Sequence, residues 1–303
     1  MEGERRMTSP IEVVKVLPRD HKNCGDCGDS LCMVFSSKLI AGKVALNKCP
    51  HLTPGQIVEL EKLMAPPVGL IAVGNGDATV NVGGERVLHR HELRFFNPTA
   101  FAVDVEDTMN TELLEERLEK IRKLVFYKME SRLRLDMVAV TASSKDPATF
   151  AQALTFIRGK TDLPLVLCSF DPEVMAAGLK VVGSGKPLIF AATNDNWESM
   201  TKLAKKYDAP LAISAPLTDM EALIEKINAK GVSQIVLAPD SHSLSQNLED
   251  LTTIRRLAVT EGRYPYPSMA FSKDIPEGTQ ESCWAAAQML RYAGIVVLQS
   301  IEP

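Results

Sequence analysis

The sequence contains no uninterrupted apolar run near the roughly 18 residues needed to cross a bilayer. Its opening, Met1-Glu2-Gly3-Glu4-Arg5-Arg6, lacks the apolar core of a secretion signal. No membrane contact is therefore expected, and the cytoplasm is the expected compartment. Strong charge of one sign is also missing: 34 Lys and Arg against 38 Asp and Glu leave a net −4. With no basic stripe interleaved with aromatics, nucleic acid is not an expected partner. Aromatic residues make up only 6%, but hydrophobic residues reach 45% and charged residues 24%, which excludes disordered and collagen-like classes. Phosphate cradles are absent too. Gly183-Ser184-Gly185-Lys186 lacks the upstream glycine of a P-loop and runs straight into Pro187, and Gly74-Asn75-Gly76 has no third glycine at the dinucleotide offset.

What the sequence does have is a lopsided set of cysteines. Four of the six fall at Cys24, Cys27, Cys32 and Cys49, with spacing C-x2-C-x4-C-x16-C. In a reducing compartment such crowding calls for a metal rather than disulfides. Four thiolates are the ligand set of a [4Fe–4S] cluster, three from a tight loop and the fourth from a later turn. The zinc alternative expects two C-x2-C pairs, and the second pair is missing here. Gly25 and Gly28 are expected to let backbone N–H groups approach the cluster sulfurs, and Cys32, in the first turn of a helix, gains from its positive end. His21 and His51 flank the segment and could tune the cluster or replace a ligand, although four cysteines make replacement unnecessary. Cys168 and Cys283 read as buried small hydrophobes.

Three parts are expected: a cluster domain over residues 1–65, a hairpin connector over 66–98 and a barrel over 99–303. In the first, Ser9-Pro10 with Glu12 and Thr53-Pro54 with Gln56 are capping boxes that start helices, and a further helix is expected from Ser30 to Gly42. Pro66-Pro67 marks the boundary. From Val68 to Phe96, alternating apolar residues broken by glycines predict antiparallel strands that cover one end of the barrel. Beyond residue 100, eight β-rich runs follow: Phe101–Val105, Leu135–Thr141, Leu163–Cys168, Pro187–Ala191, Pro210–Ser214, Ser233–Ala238, Ser268–Phe271 and Ala293–Leu298. Between them lie amphipathic helical stretches such as Leu113 to Tyr127, Asp219 to Lys230 and Leu248 to Val259. This rhythm fits a doubly wound open sheet as well, but the count of eight favours an α/β (β/α)8 TIM-type barrel. Pro303 lies five residues past Leu298, which leaves no room for a helix after the eighth strand. A parallel strand pair without its helix would expose an apolar face, so a fragment, a split gene or a covering partner is expected.

The segment Asn23-Cys24-Gly25-Asp26-Cys27 through Cys32-Met33-Val34-Phe35-Ser36 to Gly42-Lys43 and Cys49-Pro50 resembles the iron–sulfur domain of the large (gamma) subunit of the corrinoid/iron–sulfur protein. That family serves the acetyl-CoA decarbonylase/synthase system. The resemblance continues through Gly84 to Glu92 and Phe95, Ala191-Ala192-Thr193 and Tyr292-Ala293-Gly294, so it spans nearly the whole chain. It implies that Cys24, Cys27, Cys32 and Cys49 hold the cluster, which passes low-potential electrons to reactivate cobalamin. It further implies methyl transfer from a methyl-tetrahydropterin, through a methyltransferase, to acetyl-CoA synthase. The implied partners are a small corrinoid-protein subunit, that methyltransferase, acetyl-CoA synthase and a low-potential electron donor. The family's large subunit continues into a separate cobalamin-binding domain, so cobalamin is not expected to bind this chain alone. The competing expectation is an iron–sulfur barrel methyltransferase, or a reductive activator, acting on a separate corrinoid protein.

At the predicted carboxyl ends of the strands stand Thr141, Ser143 and Ser144, Ser169 and Asp171, Asn194, Asp195 and Asn196, and Asp240, Ser241 and His242. Barrel enzymes build their sites on this rim. Asp195 and Asn196 are possible pterin contacts and His242 a possible general base. The competing reading is helix capping, and it is preferred, because Asp, Asn and Ser start helices best. His89 and His91, with Arg90 and Arg94, fall on the connector and are expected at the surface. No catalytic residue is assigned.

Overall fold

A computed structural model describes residues 9–88, 97–128, 131–241, 243–272, 275 and 278–301, apart from the side chains of 131 and 132. The first helices are short and start where the capping signals place them. α1 (Pro10–Val16) begins at Ser9, whose hydroxyl accepts from the Glu12 amide, while the Ser9 amide donates to the Glu12 carboxylate at 2.7 Å. α3 (Pro54–Met64) repeats the device with Thr53 and Gln56. Between them α2 runs over Cys32–Ile40, two residues shorter at each end than expected. The difference at the start arises because Ser30 is still in the cysteine loop and Leu31 occupies the capping position without a side-chain bond. Val13, Leu17, Phe35, Leu39 and Leu60 form a small core, against which Cys27, Cys32 and Cys49 pack. Gln56 also donates to the Val16 carbonyl at 2.9 Å, tying α3 to the end of α1.

β1 (Leu70–Val73) and β2 (Val80–Gly83) pair antiparallel as the expected hairpin. The connector residues His89, Arg90, His91 and Arg94 lie outside the described residues. Ile71, Val73 and Val82 join the apolar cluster of the barrel interior. The hairpin is held by Gly69 donating to the Pro265 carbonyl and Gly74 to that of Lys186, both just ahead of barrel strands. It therefore closes the amino-terminal end of the barrel. Gly83 has φ +90°, and a Cβ there would sit 2.1 Å from the Gly69 carbonyl oxygen, so only glycine allows the two strands this approach.

All eight expected barrel strands are present: β3 (Ala100–Glu106), β6 (Met137–Thr141), β7 (Leu165–Cys168), β8 (Leu188–Ala192), β9 (Leu211–Ala215), β10 (Ile235–Pro239), β11 (Ser268–Phe271) and β12 (Ala293–Leu298). Each pairs in parallel with its successor, and β12 pairs with β3 to close the barrel. Alternation along the strands produces two faces. Small and large apolar residues such as Ala102, Met137, Ala139, Val166, Leu188, Val236 and Ile295 fill the interior. Val103, Val138, Leu167, Ile189, Ile213 and Leu237 instead meet the helices. These helices are α4 (Thr111–Lys123), α5 (Pro147–Arg158), α6 (Pro172–Val182), α7 (Trp197–Tyr207), α8 (Leu217–Ala229), α9 (Leu244–Thr260) and α10 (Gly278–Leu290). The stretch expected to stay helical as far as Tyr127 instead turns after Lys123 into a second hairpin, β4 (Val125–Lys128) paired with β5 (Ser131–Arg134). Its Val-Phe-Tyr run has strand propensity that the helical spacing concealed. Among the described residues no helix follows β12. Ile301 is buried in the outer core, while Phe101 and Leu298 are half-buried against it. No helix among the described residues is long and apolar enough to cross a membrane.

Candidate metal centre

The loop from Leu17 to Leu31 has no regular secondary structure and is shaped by three left-handed residues, Asn23 at φ 58° and Gly25 and Gly28 at φ 84°. A Cβ on either glycine would meet nothing within 4 Å. The glycines are therefore needed for backbone conformation, not for space. The Gly28 amide donates to the Gly25 carbonyl at 2.8 Å, closing a turn. An N–H group does point at sulfur, but it belongs to Asn23, which donates to Cys32 Sγ at 3.3 Å. In return Asn23 Oδ1 accepts from the Cys32 amide at 2.8 Å.

That turn brings Cys24, Cys27, Cys32 and Cys49 to the wall of one recess of about 330 Å3, its open mouth included, together with Leu17, Phe35, His21 and His51. Cys24 is exposed, and the other three are half-buried. Burial pushes the Cys49 thiol up. A bond from the His51 amide lowers it in part, and the charges of Cys27, Cys24 and Cys32 raise it again. Those last contributions are the mutual repulsion of thiolates crowded together, which bound iron would relieve. His51 Nε2 lies 2.6 Å from Asp26 Oδ2, and the bond from His51 holds the Asp26 carboxyl below its usual range. His21 stacks on His51, ring centres 3.7 Å apart and planes within 4°. Asp26, His51 and Cys24 also bring their donor atoms within 4.8 Å of one another. Sequence reasoning passed over Asn23 and Asp26, because a loop Asn or Asp without periodicity carries no signal until the fold is known.

Some of the rim residues are engaged by their side chains and others only through their backbone. Asp171 caps α6 through the Glu173 amide at 2.8 Å, and Ser169 Oγ accepts from the Asp171 amide. Asn196 accepts from the Thr193 amide and donates to the Phe170 carbonyl, and Asn194 donates to Asp219. The Asp195 amide donates to Thr193 Oγ1. Ser144 donates to Asp107, Ser143 bonds the Thr141 carbonyl through its amide, and Ser241 donates to Asp250. Asp240 is exposed, its amide bonded to the Ala215 carbonyl, and His242 lies outside the described residues. Thr141 donates at 2.7 Å to Asp104, whose carboxyl burial pushes up to about 6. Sequence reasoning missed Asp104, although alternation from Ala100 and Ala102 was the signal that puts it on the inward face. Cys168 is buried as expected, and its thiol is pushed up by that burial. Cys283 is exposed, against expectation, because its position on α10 faces away from Trp284 and Ala285 in the core.

The family model described as CO dehydrogenase/acetyl-CoA synthase delta subunit matches residues 70–303, and an Fe-S cluster model matches residues 19–51. The chain is 37% identical over 98% of its length to acetyl-CoA decarbonylase/synthase complex subunit gamma 2 of Methanosarcina thermophila, covering 68% of that protein. To subunit gamma of Methanothermobacter thermautotrophicus it is 38% identical, over 96% of the chain and 66% of the relative. To the corrinoid/iron-sulfur protein large subunit of Moorella thermoacetica it is 35% identical, over 96% and 65%. It thus spans about two thirds of the length of these relatives. Among solved structures, a dihydropteroate synthase of Xanthomonas albilineans superposes with a TM-score of 0.50 at 15% identity, covering 67% of this chain and 88% of that one. At that identity the likeness is one of fold alone.

Proposed function

The chain belongs to the CO dehydrogenase/acetyl-CoA synthase delta-subunit family, its relatives being gamma subunits and corrinoid/iron–sulfur large subunits, and from that premise we propose that Cys24, Cys27, Cys32 and Cys49 hold a [4Fe–4S] cluster. The chain is then the iron–sulfur part of a corrinoid methyl carrier. The observation that carries this reading is the convergence of four thiols on one recess, three of them backed by a small apolar core. The donor set fits the group, since four cysteines are what such a cluster needs. Bound there, the cluster supplies one-electron chemistry at low potential. Phe35 and Leu17 back the recess with apolar surface, and the Asn23 amide supplies an N–H to the Cys32 sulfur. Both features set the potential of a site of this kind. The exposed edge at Cys24 gives a donor or acceptor access to the site.

In this reading the chain passes single electrons that return cobalamin to its methyl-accepting state, and the corrinoid is carried by a further domain or by a small corrinoid-protein subunit. Methyl-tetrahydropterin is the methyl donor, through a methyltransferase, and acetyl-CoA synthase is the acceptor. The barrel serves as scaffold, an assignment supported by the rim polar side chains that are bonded to the flanking helices and loops. The deciding measurement is iron and acid-labile sulfide after anaerobic purification, expected at about four of each per chain. Zinc in their place would end the proposal. The isolated chain is expected to bind little cobalamin until a partner subunit is added. Methyl transfer from methylpterin to free cobalamin by the isolated chain would instead make the barrel an enzyme.

A further inference from the structure

The cysteine loop has few means of holding its shape. Its backbone bonds are local, such as Cys24 to His21 and Gly28 to Gly25, and no strand or helix runs through it. The ties that cross it are side-chain ties. The two bonds between Asn23 and Cys32 close a nine-residue span in both directions. The contact of His51 with Asp26 spans 25 residues and brings the limb that carries Cys49 onto the limb that carries Cys24 and Cys27. His21 packs flat on the His51 ring and fixes its orientation. Asp29, buried, pairs with Lys38 of α2. None of these ties needs iron.

We infer that Asn23 and His51 are positioning residues that close the cysteine loop before any cluster is present, so that the four thiols meet iron in a frame already set. The inference rests on the reading that these cysteines are the ligands, but what it assigns is separable from that reading. A loop free to open must lose its conformational freedom when the cluster forms, and a loop already tied has lost it beforehand. Asn23 suits the task for two reasons. Its left-handed backbone aims its own N–H at Cys32 Sγ, and its side chain reaches the Cys32 amide at the first turn of α2. Among non-glycine residues, asparagine adopts that backbone region comparatively readily. His51 stands two residues after Cys49, so holding it against Asp26 holds the fourth ligand's limb.

The test uses the full chain in two states, stripped of iron and reconstituted. Asn23→Gly keeps the left-handed backbone and removes only the side-chain tie. Asn23→Asp restores an acceptor for the Cys32 amide. In the iron-free protein, hydrogen exchange at the Cys32 amide is expected to be protected in the natural sequence, about tenfold less in Asn23→Gly and again protected in Asn23→Asp, the tenfold corresponding to the loss of about one net hydrogen bond. After reconstitution, Asn23→Gly and His51→Ala should lose the visible absorbance of the cluster to an iron chelator several-fold faster. In Asn23→Gly the midpoint potential of the cluster should shift as well, because the N–H···S bond loses its support. Unchanged Cys32 exchange and unchanged chelator resistance in Asn23→Gly and His51→Ala would overturn the inference. So would failure of Asn23→Asp to restore protection, and this arm decides the matter if Asn23→Gly also loosens the core at Phe35 and Leu60. If the natural sequence takes up no iron yet its Cys32 amide is protected through Asn23, the positioning stands and the cluster reading fails.

Discussion

Residues 10–64 and the barrel solve the same problem with unequal means. The first has five buried apolar residues in its core, and the second has clusters filling both the barrel interior and the layer beneath the helices. A unit of this small size rarely stabilises itself by burial alone, and a metal is one of the usual supplements. Accordingly its order comes from two capping boxes, the side-chain ties of the cysteine loop and of Gln56, and the proposed cluster. The barrel's order comes from burial. Stability is therefore expected to be separable along the chain, with the metal governing one part and packing the other.

The strongest way to break that comparison is to remove a ligand. Cys49→Ser is expected to reduce iron per chain severely and to lower the stability of residues 10–64, because a structural metal site contributes its binding free energy to folding, while the ties at Asn23 and His51 keep the Cys32 amide protected relative to its neighbours. The barrel's denaturant midpoint should remain where it was. A shifted midpoint would mean that the two parts fold as one unit. Matched core truncations come next. Phe150 and Phe35 are both buried, at 0% and 1% exposure, so truncation of either to alanine should cost about 3–5 kcal/mol locally. Phe150→Ala should lower the barrel's transition and leave iron content per folded chain alone. Phe35→Ala should do the reverse, since Phe35 backs the recess itself.

A third test acts through pH and touches the barrel only. The Asp104 carboxyl, ordinarily at 3.8, is raised to about 6 by burial. Below 3.8 the folded and unfolded chains both keep the proton, so burial costs nothing extra. Between 3.8 and 6 the unfolded chain ionises while the folded one holds its proton, so stability falls as pH rises and remains reduced above 6. The loss at pH 7 is at most about 3 kcal/mol. Asp104→Asn should therefore gain on the natural sequence as pH climbs from 4 to 7, seen as a widening gap between the two barrel midpoints. A constant gap would show that the carboxyl is not buried in this way.

The barrel could be read from the sequence because alternation and period repeat eight times, and each repeat constrains the next. The capping boxes could be read because Ser9 with Glu12 and Thr53 with Gln56 are local patterns. The four cysteines were legible as a set, since their crowding has few explanations in a reducing compartment. What supports them was not. Asn23 acts on Cys32 nine residues away, and Asp26 on His51 twenty-five away, so neither tie has a period or a neighbour to announce it. The β4–β5 hairpin was hidden for a different reason: its strands are short, and the apolar spacing of α4 runs on into them.

The smallest effect makes the sharpest comparison, because the same chemistry can be removed from both regions. Thr53 Oγ1 accepts from the Gln56 amide at 3.3 Å to start α3, and Asp146 accepts from the Thr149 amide at 2.8 Å to start α5. Replacing either cap with alanine costs about 1 kcal/mol. In the barrel, α5 is held down by Phe150, Leu154 and Ile157, all fully buried, so Asp146→Ala should shift the midpoint slightly and open nothing locally. In the small region α3 buries only Leu60, and Thr53→Ala also removes the hydroxyl bond to Gln56, the residue that binds α3 to α1. The same loss should there be visible as about fivefold faster exchange at the Gln56 and Ile57 amides, with faster surrender of iron to a chelator. Equal behaviour of the two variants would mean that residues 10–64 draw more stability from packing than five apolar side chains suggest.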